Sequence, residues 1–252
     1  MKKLLILLVL IAMFSSVAYA DLNDAKQKWI DAKAYHEQTK IEWREAQQLV
    51  TANNTPENVQ NVIAKAKISL NAGLDTAIAF FEFHKEKLEA EDISDSLKAT
   101  IRSDIDKNIG VAEGLKLEVD AIDSRLEVGI VSLKIFDKYL NLLVDIMRDT
   151  GLAYIEKSNG RYDRLIEMKT KLEGKIPESR KAEFESALND VDNHLKEAKA
   201  NIDNAEAKYK SIIQKQGSGI AFAEGNRLLL EAHKHGRLAL VGMKTVVVKL
   251  RG

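Results

Sequence analysis

A continuous seam of apolar residues between Ile101 and Met147 constrains this chain more than any other sequence feature. Steps of alternately four and three residues from Ile101 meet an apolar side chain at every position except Asn108 and Gly129. A repeat that averages about 3.5 residues keeps one face of an α-helix turned towards a partner helix, as in coiled coils and long bundles. The seam therefore predicts long helices packed side by side.

The second half of this seam is predicted to form the centre of the bundle. A second apolar stripe, which includes Val128, Val131 and Ile135, runs beside it, and a helix with two adjacent stripes contacts more than one neighbour. On this interpretation Leu140→Asp unfolds the protein, whereas a charge at Lys107 is tolerated. The expected core residues of the seam are Leu126, Leu133, Phe136, Leu140, Leu143 and Met147.

The stretch from Ile101 to Met147 is compatible with one helix or with two. As a single helix it would span about 70 Å at roughly 1.5 Å per residue. Ser124 and Glu127, however, have the spacing of a capping box, in which the two side chains accept hydrogen bonds from each other's free amides. We therefore favour two helices that meet near Asp123.

The rest of the chain also predicts helices. It contains two prolines, Pro56 and Pro177, and both stand beside helix-start signals. Residues 184–212 repeat the four-three alternation without interruption, which is typical of an antiparallel coiled-coil hairpin with the preceding helix. The predicted fold is all-α, an elongated bundle of about six long helices with this hairpin in the C-terminal half.

The expected organisation has four parts. Residues 1–20 resemble a signal peptide, because Lys2 and Lys3 precede a short apolar segment and the small residues that end at Ala20. Cleavage near Ala20 would export the protein, secreted or at the cell surface. The remaining parts are an N-terminal helical bundle at 21–150, the coiled-coil hairpin at 151–216 and a C-terminal helix at 217–252 that packs on the bundle or on a partner.

Composition argues against several classes of function. The 38 basic residues balance 38 acidic ones, whereas a nucleic-acid-binding protein needs a concentrated basic face. The chain contains no cysteine, so disulfides and thiolate metal sites are excluded. The sequence contains no recognisable catalytic, metal-binding or cofactor-binding motif, so we expect no cofactor.

The histidines and one asparagine are the remaining candidates. His233 and His235 lie two positions apart on a helix, about 200° around it, so they cannot chelate one ion. His36 lies on the seam of the first helix and is predicted to be a partly buried packing or capping residue, while His84 and His194 are predicted to lie on solvated flanks. Asn53 begins a glycosylation sequon, Asn53-Asn54-Thr55, on a predicted turn, although the following Pro56 disfavours its use.

From about Ala66 to Leu250, the chain resembles uncharacterised exported all-helical, coiled-coil-rich proteins of archaea. The similarity rests on four short segments. They are Ile93-Ser94-Asp95 leading into Ile105-Asp106-Lys107-Asn108-Ile109, then Val119–Ser124, Leu195–Lys199, and Glu224–Leu228 with Leu230–His233. The resemblance implies an exported helical protein and carries no known activity.

We therefore expect a non-enzymatic structural or protein-binding protein that acts outside the cytoplasm. Its expected partners are other proteins, or further copies of itself, bound through coiled-coil seams. Nucleic acid is not expected as a partner, and peripheral membrane contact is possible but not favoured. The alternative is a protein whose amphipathic helices bind lipid or another hydrophobic ligand.

Overall fold

The computed structural model describes the backbone of residues 2–251 and the side chains of residues 21–251. Within this range the chain forms helices and no strand, which confirms the predicted all-α bundle. The predicted signal peptide lies outside the described side chains. The helices are α1 (Lys2–Ala52), α2 (Pro56–Glu89), α3 (Asp95–Asp120), α4 (Arg125–Glu173), α5 (Lys181–Lys210) and α6 (Ser218–Arg251), with a 3-10 turn at Glu178–Arg180 before α5.

Local capping sets the helix boundaries. The Thr55 hydroxyl accepts a hydrogen bond from the Asn58 amide at 3.2 Å, and Pro56 occupies the first turn of α2, where a backbone donor is not needed. Ser94 caps α3 in the same way. Before α6, Gly217 has a φ of 81°, a left-handed conformation that glycine adopts without steric cost.

The capping box at Ser124 separates α3 from α4. The Ser124 hydroxyl accepts from the Glu127 amide at 3.3 Å, and a Glu127 carboxylate oxygen accepts from the Asp123 amide at 2.7 Å. The hydrogen bond from the Asp123 backbone amide is the largest cause that lowers the pKa of Glu127, and the hydrogen bonds from Ser124 add to it. The favoured prediction of two helices meeting near Asp123 is therefore confirmed.

The chain divides into two compact units, one up to Tyr139 and one from Leu140 onwards. The first unit contains α1, α2, α3 and the beginning of α4. Its main buried cluster is built from small and branched side chains of α2, α3, the corner and α4: Ile63, Ala66, Leu74, Ala112, Leu115, Val119, Ile122, Val128 and Val131. A smaller cluster joins α1 to α2 through Ala46, Val50 and Val62.

The second unit differs from the predicted hairpin with a separate last helix. The narrow apolar stripe of α5 packs against both α4 and α6, so the three helices share one unit. One cluster surrounds Tyr209 and includes Val144 and Ile155 of α4 and Leu229 of α6. The other surrounds Phe184. One apolar stripe with four-three spacing can contact two neighbouring helices, one along each of its edges. The sequence pattern does not show how many helices the stripe contacts.

The predicted core seam of α4 is wrong in its first half. Leu126, Leu133 and Phe136 are 74%, 71% and 61% exposed, while Leu140, Leu143 and Met147 are half-buried. The neighbouring stripe, with Val128 and Val131, faces the core instead. Both stripes are apolar, and the compact valines lie among small partners such as Ala66 and Ala112. Leu140 is therefore not the most sensitive core position.

Two histidines of the first unit lie within helix contacts. His36 Nδ1 lies 3.0 Å from the Ser69 carbonyl oxygen, and a Cβ at Gly73 would approach the His36 ring to 2.9 Å, which confirms the predicted packing role. The His84 ring contacts that of Phe80 edge-on at 4.4 Å, so the predicted solvated flank is wrong for this residue. Burial is the largest cause that lowers the pKa of each histidine, and Lys40 or Lys87 adds to it.

These lowered pKa values predict an acid-sensitive fold. A histidine whose folded pKa lies below the ordinary value of 6.5 binds protons more readily in the unfolded chain. The free energy of unfolding is therefore highest above pH 6.5 and decreases as the pH falls from there through the folded pKa values. Urea unfolding followed at pH 7.5 and pH 5.5 measures this loss. His84→Phe should reduce this loss of unfolding free energy between pH 7.5 and pH 5.5. An equal loss in the wild-type and variant proteins would contradict the contribution of His84.

Candidate interaction surface and ligand groove

An exposed apolar stripe on α4 is the first candidate site. We define the α4 stripe as Leu126, Ile130, Leu133 and Phe136, four large side chains that are each at least 55% exposed. They recur at steps of four, three and three residues, so they lie along one face of the helix over about 15 Å. Monomeric proteins rarely expose such continuous apolar patches without a partner.

Gly129 lies within this stripe and has open space around it. A Cβ placed on Gly129 would have no neighbour within 4 Å among the described atoms. One edge of the stripe is held by an ion pair between Lys134 of α4 and Glu118 of α3, whose nitrogen and oxygen lie 2.5 Å apart. The side of α4 with Val128 and Val131 packs on the first unit. The α4 stripe is therefore exposed on one side of a helix whose other side is packed against the first unit.

A groove within the second unit is the second candidate site. It has a volume of about 310 Å³ and lies between α4 and α6, with α5 beneath it. Its floor is apolar and consists of Leu165, Ala198, Ile202, Ala232 and Leu240. Its exposed rim consists of three arginines, Arg161, Arg164 and Arg237, beside the half-buried His233.

The groove carries positive charge that the protein does not neutralise fully. Among the described side chains, neither Arg161 nor Arg237 forms an ion pair, whereas other cations of this unit do, such as Lys208 with Glu224 at 2.5 Å. His233 Nε2 lies 3.3 Å from the Ser158 hydroxyl and 3.5 Å from Arg161 Nη1. Burial, followed by the charges of Arg161 and Arg237, lowers the pKa of His233.

The sequence did not indicate this groove. Arg161 and Arg164 lie three positions apart on α4 and so share a face, which is a readable signal. Arg237 and His233 reach the same place from α6, about 70 residues further along the chain. His233 lies at this groove, whereas His235 lies beside His194, with the two Nδ1 atoms 3.2 Å apart. His194 is half-buried in that pair, so its predicted solvated position is wrong.

Asn53 and Tyr209 lie outside the two candidate sites. Asn53 is exposed on the turn before α2, and its glycosylation stays a prediction. Tyr209 is fully buried, and its hydroxyl donates a hydrogen bond to Asn226 Oδ1 at 2.7 Å. Burial, with a smaller contribution from Tyr154, raises the pKa of Tyr209 to about 12, so this phenol stays protonated.

Among the described side chains, histidine and carboxylate groups do not lie in groups of three that could hold a metal ion. From residue 21 to residue 251, none of the helices combines the length and apolar character needed to cross a membrane.

The fold and the two surfaces define an all-α protein of two helical units. Comparison with protein-family models, with curated proteins and with solved structures gives no match. The resemblance to exported helical proteins of archaea therefore stays a prediction.

Proposed function

We propose that this chain is a non-enzymatic structural protein that associates with a second copy of itself through the α4 stripe. The observation that carries the proposal is the exposure of a heptad seam, since Leu126 and Leu133 have the spacing of a coiled coil but contact water. A sequence pattern of this kind stabilises a helix only when another helix covers it.

Size complementarity favours two copies in antiparallel orientation. When two α4 helices pair about position 131, Leu126 of one copy lies opposite Phe136 of the other, and Leu133 lies opposite Gly129. The open space at Gly129 then receives a leucine side chain. Parallel pairing would place Gly129 opposite Gly129 and leave a gap. The stripe itself contains no charged residue, so self-pairing brings no like charges together within it.

The contact area is modest and implies reversible association. Burying a leucine, isoleucine or phenylalanine contributes roughly 1.5–3 kcal/mol when the side chain starts fully exposed. Four such side chains per copy must offset an association cost of about 4–15 kcal/mol. Because the gain and the cost are of similar size, the association is expected to be reversible.

Sedimentation equilibrium between 5 and 500 μM tests the proposal. The wild-type chain without residues 1–20 should shift from monomer to dimer, and Leu133→Asp should remain monomeric because it places a charge in the stripe. Leu230→Asp is the matched control, since Leu230 is 69% exposed on α6 and should leave the dimer intact. A wild-type chain that stays monomeric, or a dimer that Leu133→Asp does not affect, would overturn the proposal.

Cross-linking tests the orientation, because the chain has no cysteine of its own. A mixture of Leu126→Cys and Phe136→Cys should form the mixed disulfide. Parallel pairing would instead yield disulfides within each variant alone.

The proposed place of action is outside the cytoplasm, supported by the basic and then apolar character of residues 1–20. Expression with and without these residues, followed by recovery from outside the cytoplasm, tests this part. Mature protein beginning at Asp21 is the expected product.

A further inference from the structure

We infer that the groove of the second unit binds an amphipathic anion, namely a free medium-chain fatty acid. The inference goes beyond self-association and rests on different residues. Two features of the groove carry it, an apolar floor and an exposed cationic rim, and together they match a ligand with one apolar and one anionic end.

The rim selects the charge of the ligand. Arg161 and Arg237 approach the groove from two helices, α4 and α6, and neither has a carboxylate partner among the described side chains. Planar guanidinium groups bind carboxylates through two parallel hydrogen bonds, and such charge-assisted bonds are stronger than neutral ones. A carboxylate between the two arginines would supply the negative charge that the protein itself does not provide there.

The floor selects the apolar part of the ligand. Ala198, Ile202 and Ala232 are each at most 3% exposed and close the groove from below. Gly236 keeps the floor open, because a Cβ at this position would already lie 3.3 Å from Leu165 Cδ1. The volume of about 310 Å³ lies at the lower end of known ligand pockets. A groove of this size suits an apolar chain of medium length.

Isothermal titration with sodium decanoate, decanol and sodium acetate at pH 7.5 tests the inference. Decanoate should bind one molecule per chain, at least tenfold more tightly than decanol, while acetate should show no measurable binding. Equal affinity for decanoate and decanol would mean that the arginines do not select charge. Binding of acetate as tight as that of decanoate would mean that the floor contributes nothing. Either result overturns the inference.

Matched variants locate the ligand. Arg237→Gln should weaken decanoate binding about tenfold, because one charge-assisted contact is lost. Arg227→Gln is the control, since Arg227 is an exposed arginine of α6 outside the groove. Gly236→Leu should abolish binding by filling the floor without changing the charge, and circular dichroism verifies that this variant folds. Unchanged affinity in both groove variants would overturn the inference.

Two further measurements distinguish a free fatty acid from a membrane surface, and the ligand groove from the α4 stripe. Binding to phosphatidylglycerol vesicles without binding to decanoate would indicate a membrane surface and would overturn the fatty-acid assignment. Leu133→Asp, which removes the proposed self-association, should bind decanoate with wild-type affinity. Loss of decanoate binding in this variant would contradict the independence of the two sites.

Discussion

Gly151→Ala is expected to lower the free energy of unfolding of the second unit by about 3 kcal/mol, the upper end of the usual cost of overpacking a core. Gly151 of α4 and Gly225 of α6 both contact the buried ring of Tyr209. A Cβ at Gly151 would lie 2.2 Å from Tyr209 Cδ1, and one at Gly225 would lie 2.6 Å from Tyr209 Cε1. The ring has little freedom to yield, because Tyr209 is fully buried and its hydroxyl is bonded to Asn226.

Gly160→Ala is the matched control on the same helix. A Cβ at Gly160 has no neighbour within 4 Å, so alanine there should stabilise the protein by about 0.5–1 kcal/mol through its higher helix propensity. Opposite signs for the two glycine substitutions would therefore separate steric contact from helix propensity. A stabilising Gly151→Ala would contradict the packing of Tyr209 between the two glycines.

A double-mutant cycle sharpens this test. Tyr209→Ala alone should cost about 3–5 kcal/mol because it leaves a cavity. Adding Gly151→Ala to it should cost nothing further, since the new methyl group enters that cavity. Unfolding in urea can be followed by circular dichroism for the whole chain, and tryptophan fluorescence isolates the first unit, because Trp29 and Trp43 both lie there.

Val119→Asp is expected to unfold the first unit. Val119 is fully buried in the cluster formed with α2 and α4, and an unpaired carboxylate at such a position costs more than about 4 kcal/mol. Trp43 packs against the same cluster, so its emission should shift to the red at 25 °C in this variant.

Leu133→Asp is the contrasting variant. Leu133 is 71% exposed, so the same change should alter the free energy of unfolding of the monomer by at most about 0.5 kcal/mol. If both substitutions were strongly destabilising, the α4 stripe would be buried; if both were nearly neutral, Val119 would not be a core residue. The comparison is made at a concentration below the onset of self-association.

Much of the fold could be predicted because its boundaries depend on nearby residues. Thr55, Ser94 and Ser124 each cap a helix through an amide three positions further along the chain, and these short-range hydrogen bonds can be read from spacing alone. Pro56 and Pro177 stand at helix starts, as their neighbouring residues predict. The α4 helix continues through Gly151 and Gly160. The apolar phase shifts at Gly151, which predicts a local unwinding and not the end of a helix, and Gly160 is predicted to weaken the helix without stopping it.

The candidate sites could be predicted only in part. The sequence predicts a coiled-coil seam through Leu126, Leu133 and Phe136 but places it in the core, whereas these residues are exposed. No sequence pattern indicates Arg237, because its significance depends on Arg161, which lies on another helix. The contact of the His194 and His235 rings between α5 and α6 is not predictable for the same reason.

Periodicity and capping act within one or two helical turns, so the helical character of this chain and most of its helix boundaries can be predicted from the sequence alone. Which of two adjacent apolar stripes on α4 is buried depends instead on the tertiary packing. Hydrophobic burial has no direction, and either stripe satisfies it. The choice depended on the shapes of α2 and α3, whose small side chains accept Val128 and Val131 and leave Leu133 exposed.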